Sequence, residues 1–130
     1  MGDYLMSLIK ANNITNVTGG IPTVKSQQLI PTAWVNFNGQ NTVAIRDSEN
    51  VSSITDSGTG YYTVNFATVM ANVNYSGVAN FHRTVTWTGS GIEVRGSSNR
   101  TTSYVRVRTM ENSVAVDEFQ IDVIILGGQA

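Results

Sequence analysis

The sequence predicts an all-β protein: an antiparallel β-sandwich of about seven or eight strands with an extended N-terminal arm. Three observations carry this. From Thr32 onward, apolar and polar residues alternate with a period of two in one run after another. Clusters of Gly, Asn, Asp and Ser separate the runs at the spacing a sandwich requires. No window of helical length carries a convincing helical period, and the turn chemistry favours antiparallel over parallel pairing.

The elements follow in order. Residues 1–31 form one predicted unit, an arm for docking or oligomerisation, and 32–130 the sandwich. In the arm a short apolar stretch, Leu5 to Ile9, leads into Asn- and β-branched-rich sequence, then Gly19-Gly20, Pro22 and Pro31. This composition disfavours helix and predicts extended chain with one or two short strands. Leu5, Leu8, Ile9, Ile14 and Val17 need burial, so they are the candidate anchoring residues. Beyond the arm, Ala33, Val35 and Phe37 share one strand face, and Trp34, Asn36 and Asn38 the other. Asn38-Gly39 is a turn signal that predicts a hairpin to a strand at Thr42–Arg46. Asp47–Asn50 reads as a polar turn and Val51–Ile54 as a brief edge or bridging piece. After the turn at Asp56–Gly60 come Tyr61–Phe66, with Tyr62, Val64 and Phe66 on one face. Residues 67–74 read as a loop or a single helical turn. Tyr75–Arg83 alternates again, with Tyr75, Gly77, Ala79 and Phe81 on one face. Thr84–Thr88 and Ile92–Arg95 flank a predicted turn at Gly89-Ser90-Gly91. A further turn at 96–100 precedes Thr102–Thr109, with Tyr104, Arg106 and Arg108 opposite Val105 and Val107. Ala115–Leu126 reads as one long final strand with Phe119, Ile121, Val123 and Ile125 inward. Ile124 and Leu126 face the other way, which calls for cover by a second surface.

Composition narrows the function classes. Charged residues make up 13% of the chain, against roughly 25% in ordinary soluble domains. Asn, Ser, Thr and Gly replace them, as in proteins packed against partners or simply in the polar loops of an all-β fold. The net charge of −1 gives no electrostatic footprint for nucleic acid. With no cysteine, the fold depends on its core, an oligomer, or both. The longest apolar run, Val123–Leu126, is far too short to cross a bilayer. The start lacks a basic segment followed by a sustained apolar one, so no signal peptide is expected.

The search for chemistry is mostly negative, and the chain reads as non-enzymatic with no cofactor. His82 is the single histidine, without a Gly-x-Ser-x-Gly elbow or a motif-placed acid to orient it. One histidine and no cysteine make zinc improbable. Asp47–Asn50 and Asp56–Gly58 offer oxygen ligands but lack EF-hand spacing and read as Asx-rich turns. No spacing picks a glycosidase pair from Asp47, Glu49, Glu93, Asp117, Glu118 and Asp122. Arg106 and Arg108 beside Tyr104, with Arg95 and Arg100 near, are candidates to line a groove for an anionic glycan. The plainer reading is a solvated strand face, or ion pairs with Glu93 or Asp122 across the sheet. Tyr61, Tyr62 and Trp87 are candidate sugar-stacking platforms, or else core or subunit-interface aromatics.

The stretch Ala33-Trp34-Val35-Asn36-Phe37-Asn38-Gly39, then Val43–Ser48, Asn50–Asp56 and Gly58–Phe66, resembles a module of tail-fibre-like virion proteins of tailed phages, notably those of cyanobacteria and other aquatic bacteria. Ser7–Asn16 leading to Gly19-Gly20 resembles the segment that often precedes the module, and Val105–Thr109, Val116-Asp117 and the closing strand also fit. The resemblance covers most of the chain and is most specific over 33–66. It implies a trimeric virion protein made in the cytoplasm of the bacterial host, with the arm docked to other virion proteins. The leading expectation is a small tail-fibre or tail-tip protein in host attachment, with the turns at 89–91 and 96–100 as exposed tips. The alternative is a capsid decoration, cement or baseplate protein that binds no receptor.

Overall fold

A computed structural model describes residues 23–24, 27–28, 31–82, 90–95 and 97–128. The chain divides into two units, Met1–Ile30 and Pro31–Ala130. In the first, β1 (Thr23–Val24) pairs antiparallel with β2 (Gln27–Gln28), Thr23 opposite Gln28. The candidate anchors Leu5, Leu8, Ile9, Ile14 and Val17 lie outside the described residues.

The second unit is all-β, as expected, with nine strands among the described residues. They are β3 (Ala33–Asn38), β4 (Ala44–Glu49), β5 (Val51–Asp56), β6 (Tyr61–Phe66), β7 (Tyr75–His82), β8 (Ser90–Val94), β9 (Tyr104–Glu111), β10 (Val114–Ala115) and β11 (Gln120–Gly127). All pairings are antiparallel. One sheet has the order β4-β3-β11-β7. In the other, β9 is central. Both β8 and β10 pair with its Met110 and Glu111, so they occupy opposite edges. Because β6 and β8 overlap at Val107 and Arg108, β6 shares the β10 edge, end to end with it. β5 then flanks β6.

Alternation explains which side chains meet between the sheets. Ala33, Val35 and Phe37 of β3 and Ile121, Val123 and Ile125 of β11 point inward from one sheet. Tyr62, Val64 and Phe66 of β6 and Val105 and Val107 of β9 answer from the other. All are at least nine-tenths buried, and each Val, Ile or Phe among them is worth about 1.5–3 kcal/mol when removed from water. Two edge-to-face ring pairs cross the interior: Phe37 with Tyr62 at 5.3 Å between centroids, and Phe66 with Tyr75 at 5.9 Å. Met70, from the 67–74 segment, also fills the core. That segment is a loop, tied by Met70 N–H to Thr102 O and Ala71 N–H to Gly128 O.

Four expectations need correction. The final strand is two strands, because β10 pairs with β9 in one sheet and β11 with β3 and β7 in the other. Residues 116–119 carry the chain across. Phe119 therefore stays outside the core, 47% exposed, with the Arg46 guanidinium 4.5 Å above its ring. Ser90 and Gly91 are not a turn but the start of β8, opposite Glu111 and Met110. The predicted turn at Asp47–Asn50 belongs mostly to β4, and the change of sheet falls on Asn50 alone, with a positive φ of 53°. Val51–Ile54 is part of a full six-residue edge strand. The segments 84–88 and Gly89 lie outside the described residues.

Candidate functional site

The side chains opposite the core form the outer face of the five-stranded sheet. Cross-strand register places Tyr61 beside Arg108 and Arg108 beside Glu93. The next row sets Thr63 beside Arg106, and Arg95 N–H donates to the Arg106 carbonyl. The third row pairs Asn65 with Tyr104. Four of the residues singled out from sequence, Tyr61, Arg95, Arg106 and Arg108, thus share one face.

Their guanidinium groups lie against aromatic rings. Tyr61 has Arg108 at 5.3 Å and Arg95 at 5.6 Å from its centroid, and Arg106 sits 5.4 Å from the Tyr104 ring. Each contact is worth about 0.5–1 kcal/mol at an exposed site. Arg108 Nη2 also donates to Ser113 O at 3.1 Å, and Arg106 Nη1 to Asn99 Oδ1 at 3.3 Å. Arg95 pairs with Glu93 at 3.6 Å, a contact that water screens to about 0–1 kcal/mol. Arg108 Nε is buried with no hydrogen-bond partner. Asn65 Nδ2 donates to Ser53 Oγ at 3.1 Å and Thr55 Oγ1 at 2.9 Å, which fixes the neighbouring surface. The result is a held array of planar cations and rings, able to form paired hydrogen bonds with carboxylate or sulfate groups.

Two candidates are not part of it. Tyr62 points the opposite way from Tyr61, because neighbours on a strand must, and is 1% exposed. Its hydroxyl lies 2.9 Å from Gly39 O and 2.8 Å from Asp117 Oδ1. Burial, reinforced by Asp117, pushes its ionisation far above the ordinary tyrosine range. It is a core latch, not a sugar platform. Arg100 forms a bridge with Val105 and donates from Nη1 to Tyr75 O at 2.7 Å, with its guanidinium 4.9 Å from the Tyr75 ring. It clamps Tyr75 rather than facing a ligand. Burial, partly opposed by Arg100, pushes the Tyr75 hydroxyl up to about 12. Trp87 lies outside the described residues.

The remaining chemistry-bearing residues are dispersed. His82 is exposed at the end of β7, opposite Gln120. Asp56 accepts from Gly58 N–H, and Asp117 from Gly60 N–H at 2.7 Å, so both carboxylates hold turns. Among the described residues, no three His, Cys, Asp or Glu side chains are grouped to hold a metal ion. No helix there is long and apolar enough to cross a membrane.

A second feature was only half visible in the sequence. On the outer face of the four-stranded sheet, Trp34, Ile124 and Val78 stand side by side across three strands, with Leu126 in the adjoining row. Val78 is 61% exposed, Leu126 46% and Ile124 41%. The outward placement of Ile124 and Leu126 was legible in their alternation. Trp34 and Val78 join them only through register.

No protein-family model, curated protein or solved structure matches the chain.

Proposed function

We propose that this chain is a structural protein of a tailed-phage virion, a small tail-fibre or tail-tip part that serves host attachment by packing side by side with its neighbours. The resemblance over residues 33–66 supports the phage assignment, and those residues supply β3 to β6 of the sandwich. The observation that carries the mode of action is the arginine–tyrosine face of Tyr61, Arg95, Arg106 and Arg108. Arginine and tyrosine are enriched where proteins meet. These guanidinium groups already lie along rings and backbone carbonyls on a sheet surface, which favours a broad partner over a single sugar in a cleft.

A second reading, a capsid decoration, cement or baseplate protein that binds no receptor, is favoured by the exposed apolar row on the other sheet. Gold-labelled antibody against the purified chain separates the readings on intact phage particles. Label at the tail end, with the purified chain competing for adsorption to host cells, is the expected result. Label on the head without competition would establish the second reading. Particles that take no label, and whose mass spectra lack the chain, would overturn both.

A further inference from the structure

The two outer faces of the sandwich carry opposite charge. On the four-stranded sheet, Glu49 stands beside Trp34, and Asp47 and Asp122 flank Asn36. Asn36 Nδ2 donates to Asp122 Oδ1. The Asn36–Phe37 bulge leaves Arg46 without an opposite residue, and Arg46 is turned back onto Phe119 O and Asn36 Oδ1. Among the described residues, that face therefore sets the carboxylates Asp47, Glu49 and Asp122 against one guanidinium. On the five-stranded sheet the balance reverses: among the described residues, Arg95, Arg106 and Arg108 stand against Glu93.

We infer that the outer face of the four-stranded sheet seats a second copy of this chain, which presents its arginine–tyrosine face. This rests on the reading of the protein as a side-by-side virion part. Trp34, Ile124, Val78 and Leu126 supply apolar area to be covered, and Tyr61 and Tyr104 on the other face supply rings to cover it. The acids beside the apolar row meet the arginines between the rings. A face meeting its own duplicate would set three carboxylates against three, or three guanidinium groups against three, so the charges select the head-to-tail arrangement. Each face, four strands at about 4.8 Å and up to eight residues at about 3.3 Å, projects to about 500 Å². Side-chain relief brings its accessible area toward the roughly 800 Å² that each partner gives to a stable contact. Because the two faces lie on opposite sides of the sandwich, every copy can join two others, and the contact propagates into a ring or a stack.

The test uses two full-chain variants, Val78→Lys and Arg106→Glu, each spoiling one face and leaving the other intact. Asn80→Lys replaces the first if Val78→Lys loses the β-sheet circular dichroism of the parent. Light scattering should give a multiple of the single-chain mass for the unaltered chain and one chain mass for each variant alone. An equal mixture of the two variants should give two chain masses and no more, since only one sound pair of faces remains. Either variant keeping the parent mass, or a mixture that stays at one chain or grows beyond two, would overturn the inference. So would an unaltered chain of single-chain mass; if that chain bound dextran sulfate through Arg106, the face would belong to an acidic glycan. Gold labelling of particles reads the virion assignment independently of all these outcomes.

Discussion

At the scale of single residues, the molecule is held at points where a polar group had to be placed inside a β-core. Tyr62 is the main one. Its ring packs on Phe37 while its hydroxyl meets Gly39 O and Asp117 Oδ1, and Asp117 in turn accepts from Gly60 N–H. Tyr62→Phe removes the hydroxyl that reaches both partners and should cost about 1–2 kcal/mol in urea unfolding. Gly60→Ala should cost at least as much. Gly60 has a φ of +71°, and an added Cβ would lie 2.7 Å from Thr109 O and Val116 N, so conformational and steric penalties combine. The two buried tyrosines also set an alkaline limit. Tyrosine in the unfolded chain titrates near pH 10, whereas both Tyr62 and Tyr75 are raised, Tyr75 to about 12. The folded chain thus keeps protons that the unfolded chain releases. This contribution is fully present below about pH 10 and is lost as pH rises toward and past 12. A denaturation series across that window should show stability falling, with a shallower fall in Tyr62→Phe. The same residue shows what sequence could and could not give. Alternation had already put Tyr62 with Val64 and Phe66, hence inward. Aromatic type alone makes Tyr62 a platform candidate, but Tyr61 and Tyr62, as strand neighbours, must face opposite ways.

At the scale of elements, the strands with one buried and one exposed face were readable directly. β3, β6 and β7 fall at 33–38, 61–66 and 75–82, matching the period-two runs. The misses share a cause. Whether a stretch stays in one sheet or changes sheet depends on partners distant in sequence. Ala115–Leu126 reads as one strand because both its pieces are strand-like. The crossing between β10 and β11 is imposed by β9 on one side and by β3 and β7 on the other. Ser90-Gly91 reads as a turn by composition, yet β9 supplies a partner for it. Arg100 could not be placed from periodicity at all, since it lies just past a 3-10 turn at Ser97–Asn99. The change of sheet between β4 and β5 gives a prediction at this scale. Asn50 has positive φ, its Nδ2 donates to Thr32 O and Thr68 O, and its Oδ1 accepts from Thr68 N–H at 2.7 Å. Asn50→Ala loses these bonds and gains strain, and should destabilise by about 2 kcal/mol. Asn50→Gly keeps the backbone freedom, so it should cost less than Ala in the same unfolding assay by about 1 kcal/mol.

At the scale of the whole molecule, the sandwich is ordinary inside and specialised on its two flat sides. One side carries arginine and tyrosine; the other an apolar row edged by acids. A chain with only 13% charged residues has little long-range repulsion to keep copies apart, and among the described residues the two outer faces differ in the sign of their charge excess. The alternation showed that arginines shared a strand face and that Ile124 and Leu126 pointed outward. It could not show that Trp34 and Val78 line up with Ile124, because register is a property of pairing. Nor could it show the opposite sign of the two sides, which needs Asp47, Glu49 and Asp122 brought together from β4 and β11. Side-by-side association through these faces can be read from the light-scattering mass of the unaltered full chain over a concentration series. A mass of several chains that falls toward one only on dilution is expected. One chain mass at every concentration would contradict it.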